Sequence, residues 1–134
     1  MHRNLTDHLV AGSATDKLLA IVAIDAPGAG GASHHYEMRL NHPQRGIQLQ
    51  RIDFQEGPIA NPADVNGVTN EALLAILIDR LRGFQGLLAT ATGAAGFPSR
   101  ENAIALTHLE EGLLWLQKRT RDRMARGVEG QNKA

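Results

Sequence analysis

A chain of 134 residues has room for one domain with a real core, and its fourteen basic and fourteen acidic side chains leave no net charge, which argues against a general polyanion binder. Without cysteine, a disulfide framework and a thiolate metal site are both excluded. There is no signal-peptide pattern and no apolar run near the length of about 18 residues that a membrane helix needs. The longest apolar runs are Leu18–Ile24 and Leu73–Ile78, so a soluble cytoplasmic protein with no membrane partner is expected.

Residues 1–16 are mixed in character, with Gly12 and Ser13 in the middle, and are expected to be partly ordered at best. Leu18–Ile24 is short, apolar and rich in β-branched residues, and reads as a buried strand that stops at a glycine loop, Asp25–Gly31. That loop lacks the Gly-Lys-Ser/Thr ending of a phosphate-binding loop and precedes no helix pattern, so a phosphate cradle is not expected there.

His34–Leu40 alternates around Tyr36, Met38 and Leu40. Gly46–Phe54 alternates through Ile47 and Leu49, then through Ile52 and Phe54 after a shift of phase at Arg51. The two read as antiparallel strands joined by a turn over His42–Gly46. His34 and His35, adjacent in a strand, point to opposite faces, which is poor geometry for one metal ion, so no metal site is expected. Gly57-Pro58 ends the sheet, and Asn61–Gly67 leads to the first helix.

Thr69 is a favoured N-cap, Glu71 sits in the first turn, and Leu73, Leu74, Leu77, Ile78 and Leu81 give that helix a broad apolar face. The pattern weakens from Gly86 to Thr92 and breaks at Gly93–Pro98. Ser99 then caps a second helix with Glu101 in its first turn. Leu106, Leu109, Leu113 and Leu116 form its stripe, which Leu114 and Trp115 widen into a face. The expectation is an α+β fold in a single domain, 1–134: a small antiparallel sheet over 17–59, then a long antiparallel helical hairpin over 69–126. Helices of roughly 20 and 27 residues would measure about 30 and 40 Å, so the second overhangs the first and is expected to be covered by another copy.

The overhanging end is basic. Lys118–Ala134 holds six basic residues against two acidic, a net of +4, and the rest of the chain carries −4. Arg119, Arg123 and Arg126 continue the stripe's spacing, which places them at the edge of a pocket. The same spacing is that of an ordinary helix end, where cations complement the dipole, and from spacing alone the ordinary reading comes first.

Several segments together carry a resemblance. Phe54–Ile59, Val65–Leu74, Asp79–Leu81 with Gly83-Phe84-Gln85, Arg100–Ala103, and Arg119–Arg123 with Gly127–Gly130 are five ordered blocks, and the likeness they carry covers about residues 34–130. They resemble the phage Thoeris anti-defence sponge family, which shares its helical hairpin with the phage anti-CBASS sponges. The resemblance implies a binding protein without catalysis and without a cofactor. Such a protein holds a cyclic nucleotide signal, a glycocyclic ADP-ribose isomer made by a bacterial TIR-domain protein, in the cytoplasm of the infected host.

It further implies a homo-oligomer, dimers assembling into hexamers, with the pocket where two copies meet and separate sites for cyclic di- or trinucleotides of CBASS systems. The family's pocket positions that match are Phe84, Asn102, Arg119 and Arg123. Their chemistry agrees: arginines one turn apart for phosphate oxygens, an aromatic ring for adenine, and an amide for a ribose or base edge. Apart from the resemblance, Phe84 reads as filler for the hairpin's end and Asn102 as a first-turn residue that satisfies local backbone.

The chain departs from the family in its hairpin connection, where Gly86–Ser99 is an insertion placed to reshape or lid the pocket, and in its first 33 residues. Two other classes stand beside a sponge. A degrading enzyme would need a nucleophile, base or metal, and no Ser-His-Asp spacing, HExxH or carboxylate pair stands out; His108 reads as a solvated-face residue. A phage structural or nucleic-acid-binding accessory protein would use the basic helix end, but balanced charge and few aromatic residues make nucleic acid a poor partner.

Overall fold

The computed structural model describes residues 2–127 and is α+β, with an antiparallel sheet followed by a helical hairpin as expected. The chain forms two compact units, one ending at Val68 and the other beginning at Thr69.

The first unit is a four-stranded sheet in the order β1 (Arg3–Leu5), β2 (Leu19–Ala23), β3 (His35–His42), β4 (Gly46–Asp53), antiparallel throughout. The first residues are more ordered than their composition suggests. Arg3–Leu5 pairs along the outer edge of β2, with Arg3 opposite Ala23, and Arg3 Nη2 donates to Ser33 Oγ at 3.2 Å. Three residues are too few to show a periodicity; the open edge of β2 supplies the order.

β2 holds the buried Val22 and Ala23. β3 and β4 form a hairpin whose turn is closed by His42 Nδ1, which accepts from the N–H groups of Gln44 and Arg45 at 3.1 Å. The register through β4 is continuous, so the phase shift expected at Arg51 is one of side-chain character, not of backbone. Ile47 and Leu49 lie on the exposed face and Ile52 on the opposite, half-buried one.

At one end of this sheet, charged groups tie β3 to β4 and to the segment after it. His35 Nδ1 lies 2.6 Å from Asp53 Oδ1, and Nε2 lies 3.5 Å from Glu56 Oε2. Arg51 Nε donates to Asp53 at 2.9 Å, and the Asp25 carboxylate accepts the backbone N–H of His34 and of His35. The hydrogen bond to Asp53 raises the His35 imidazole above its usual 6.5, against the opposing effect of partial burial and with help from Asp25 and Glu56. Arg51, and after it His35, hold the Asp53 carboxyl below its usual range.

Residues 55–67 form a loop closed by Gln55 and Asn66. Asn66 N–H donates to Gln55 Oε1 at 2.9 Å, and Asn66 Oδ1 accepts from Glu56 N–H at 2.8 Å.

In the second unit, α1 (Asn70–Phe84) starts at Thr69, whose Oγ1 accepts from Ala72 N–H. It ends five residues sooner than its apolar pattern suggests, because Gly86 adopts φ 76°. Leu87 N–H donates to Arg82 O and Gly86 N–H to Gly83 O, the paired bonds that close a helix on a left-handed residue.

After a single turn, α2 (Ala89–Thr92), the chain doubles back. Phe97 N–H donates to Phe84 O at 2.6 Å. Gly96 passes so close to Gly83 and Gly86 that a Cβ on it would lie 2.5 Å from Gly86 N and 2.7 Å from Gly83 O. Ser99 then caps α3 (Arg100–Ala125) by accepting from Asn102 N–H.

α1 and α3 run antiparallel, with Ile78 and Leu106 buried and Arg82 Nη2 bonded to Glu110 Oε2 at 2.8 Å. At 15 and 26 residues they measure about 22 and 39 Å. Leu114 and Trp115, expected to widen the buried stripe, are 61% and 70% exposed, and Leu77 of α1 is exposed as well. One shorter helix covers one side of α3, and these residues lie off that side.

Two outcomes follow for stability. A group whose folded pKa is raised contributes stability below its unfolded value and loses it as pH rises through the folded one. Thermal stability should therefore fall as pH rises above the usual histidine value of 6.5, and His35→Gln should flatten that fall in a pH series of melting curves. Separately, Gly96→Ala forces a clash with backbone at φ 78° and should cost about 1–3 kcal/mol. Gly112→Ala, in open space within α3, should instead gain about 0.5–1 kcal/mol; denaturant titration of both variants reads the difference.

Candidate functional site

All four residues marked by the resemblance lie in the hairpin unit. Phe84 is the last residue of α1, its ring partly exposed, and the Arg80 guanidinium carbon stands 5.3 Å from the ring centroid. An aromatic ring so placed offers a face already favoured by a cation.

Asn102 is the third residue of α3. Its backbone N–H is the one that Ser99 Oγ accepts, at 3.1 Å, while its side-chain amide makes no hydrogen bond among the described residues. The amide is therefore not spent on local backbone. Between these two residues, Gln85 Oε1 accepts from Ser99 N–H at 2.9 Å and clamps the end of α1 to the start of α3. Phe84 and Asn102 thus sit at the same end of the hairpin, on either side of the insertion, whose Phe97 is 86% exposed.

Arg119 and Arg123 occupy the other end. They follow Asn102 by 17 and 21 residues on one continuous helix, about 26 and 32 Å along its axis. Four residues apart, they share a face. Arg119 is exposed and has no ion-pair partner among the described residues, whereas Arg123 is only 7% exposed and lies in the last turn, where the helix dipole favours a cation. Beside them Lys118 Nζ pairs with Asp122 Oδ2 at 2.5 Å, which cancels one charge on the neighbouring face. Val128–Gly130 of the last resembling block, and Lys133, lie outside the described residues.

One chain therefore groups the ring with the amide and one arginine with the other, and holds the two pairs apart by most of the length of α3. The ring end offers stacking and amide recognition; the arginine end offers forked, charge-assisted hydrogen bonds to phosphate oxygens. His108 is exposed, with Nδ1 3.6 Å from Glu111 Oε2, as expected of a solvated face. Among the described residues no three His, Asp or Glu side chains cluster closely enough to hold a metal ion, and no helix is long and apolar enough to cross a membrane.

Two residues that matter to the geometry went unassigned in the sequence. Arg80 precedes Phe84 by four positions, a spacing that puts cation and ring on one helix face and could have been read. Gln85 acts across the connection on Ser99, fourteen residues away, and no local pattern signals it.

Comparison with known proteins bears on this arrangement. The family model described as the Acb2/Tad1 hairpin domain matches residues 46–121, more than half of the chain, taking in Phe84, Asn102 and Arg119 and ending just short of Arg123. The chain is also similar to Thoeris anti-defense 1 of Bacillus phage SBSphiJ7, at 47% identity over 83 residues. That alignment covers 62% of this chain and 52% of the phage protein, so the chain spans about half the length of that relative. With the family model matching more than half of the chain, over residues that include the helical hairpin, the chain belongs to the Acb2/Tad1 hairpin-domain family.

Proposed function

We propose that this protein is a phage anti-defence sponge. It binds a cyclic nucleotide immune signal, foremost a glycocyclic ADP-ribose isomer of Thoeris systems, and holds it unaltered in the cytoplasm of the infected host. The observation that carries this reading is the separation of complementary chemistry along α3. An aromatic ring and a free amide at one end, and arginines at the other, cannot meet on one ligand within a chain.

In an antiparallel pair of hairpins, the ring end of one copy faces the arginine end of the next. A ligand with a base and a pyrophosphate would then be gripped by both. The exposed Leu114 and Trp115 of α3 and Ile76 and Leu77 of α1 supply apolar surface for such a pairing. The similarity to Thoeris anti-defense 1 of Bacillus phage SBSphiJ7 supports the anti-defence role. Cyclic oligonucleotides of CBASS systems, at further sites in a larger assembly, are a second ligand class under the same proposal.

Sequestration needs affinity and no turnover. Titration calorimetry with a glycocyclic ADP-ribose isomer should show tight binding, and ligand released by heating should be chemically intact. Arg119→Ala should weaken binding by roughly 1.5–3 kcal/mol without altering the melting temperature, since Arg119 is exposed. Unchanged affinity would remove the phosphate role, and a degraded ligand would make the protein an enzyme. Binding of neither the isomer nor a cyclic trinucleotide would return the arginines to a solvated helix end.

The assembly is open to a direct test. Light scattering should give a mass at least twice 14.5 kDa, and Trp115→Glu should reduce it to the monomer; a wild-type protein that is already monomeric would refute the shared pocket.

A further inference from the structure

A cavity in the sheet unit lies almost wholly outside the part of the chain that the family model matches. It has a volume of about 330 Å³, within the range of small-molecule sites. The antiparallel register puts Asn4, Ala20, Arg39, Asn41 and Ile47 on one face of the sheet, and all five line it. Of these, only Ile47 falls in the matched region. The connection between β1 and β2 supplies a side wall through Leu9 and Lys17.

That wall is built rather than draped. His8 Nε2 donates to Leu19 O at 2.9 Å. Asp16 Oδ2 accepts Gly12 N–H at 2.7 Å, and Leu9 N–H donates to Thr6 O at 3.0 Å. The site is thus largely formed before anything enters it.

Its chemistry is specific in sign. The Lys17 ammonium has no ion-pair partner among the described residues. Arg39 pairs with Glu37 through Nε at 2.8 Å, leaving both terminal nitrogens without partners among the described residues. The Asn4 and Asn41 amides likewise bond to no protein group among the described residues. The carboxylate on the wall, Asp16, is already bonded to Gly12 N–H. Beside these polar groups the lining carries apolar surface left open to water, with Ile47 70% and Leu9 38% exposed.

Two cations and two amides beside an apolar strip, with the one carboxylate turned to backbone, match an anion carried on a flat or aliphatic body. We propose that this cavity is a second ligand site, distinct from the hairpin residues, for a small organic anion whose phosphate or carboxylate meets Lys17 and Arg39 and whose body lies on Leu9, Ala20 and Ile47.

The test is a titration of the labelled protein with phenyl phosphate, benzoate and uncharged benzyl alcohol, followed by amide chemical shifts. Expected are saturable shifts at Ala20, Arg39, Asn41 and Ile47 with one or both anions and none with the alcohol. The stronger arm tells a phosphate monoester from a carboxylate. Lys17→Gln, in an exposed position, should weaken the response by roughly ten-fold while leaving the melting temperature unchanged.

Equal response to the alcohol, shifts scattered over surface cations, or a Lys17→Gln variant that binds as the wild type would each overturn the proposal. So would shifts at Ile47 that track protein concentration instead of ligand, which would mark a contact between copies. No residue is shared with Phe84, Asn102, Arg119 or Arg123, so this outcome is independent of the cyclic nucleotide titration.

Discussion

A helix of 15 residues cannot cover one of 26. Most of what distinguishes the hairpin unit follows from that mismatch. α1 buries Leu106 and half-buries Leu109, Leu113 and Leu116, but it leaves Leu114 and Trp115 in water. It also leaves the chain to span the distance between the end of α1 and the start of α3 with residues 85–99, and it lets α3 hold chemically different groups at two remote ends. The mismatch costs buried apolar area, at about 25 cal/mol per Å². The same exposed area is available for association, which is what the proposed shared pocket draws on.

Glycine makes the connection possible. Gly86 takes the left-handed conformation that stops α1, and Gly96 brings the returning chain into backbone contact with it. Gln85 and Phe84 then bond to Ser99 and Phe97 across the gap. The long insertion is therefore anchored at both of its ends beside Phe84 and Asn102, with an exposed Phe97 next to the ring end. A connection so held can vary in its middle while leaving the packing of α1 on α3 as it is.

The sheet unit rests on different physics. Its buried core is small, with Val22 and Ala23 on β2, so charge and hydrogen bonding carry more of its order. The His35 imidazole lies between Asp53 and Glu56, Asp25 caps two backbone N–H groups of β3, and Gln55 and Asn66 close the loop that follows. None of these contacts needs a large apolar residue. A unit with few aromatic residues and a balanced charge can be ordered in this way, and its exposed polar face is free to hold a ligand.

The sequence by itself determined the elements. Thr69 and Ser99 were legible as caps because each side chain needs only the N–H groups of the next turn. β2, β3 and β4 were legible as strands because their apolar and β-branched runs are local. The identities of Phe84, Asn102, Arg119 and Arg123 came from ordered blocks that resemble a family. Tertiary structure decided what local pattern cannot encode. β1 exists because β2 has an open edge, not because three residues prefer a strand. Leu114 and Trp115 are exposed because burial depends on the partner's length and side, whereas periodicity reports only which residues share a face. The two halves of the candidate site are remote because 1.5 Å per residue accumulates along an unbroken helix, and only the folded hairpin shows that nothing bends α3 back on itself.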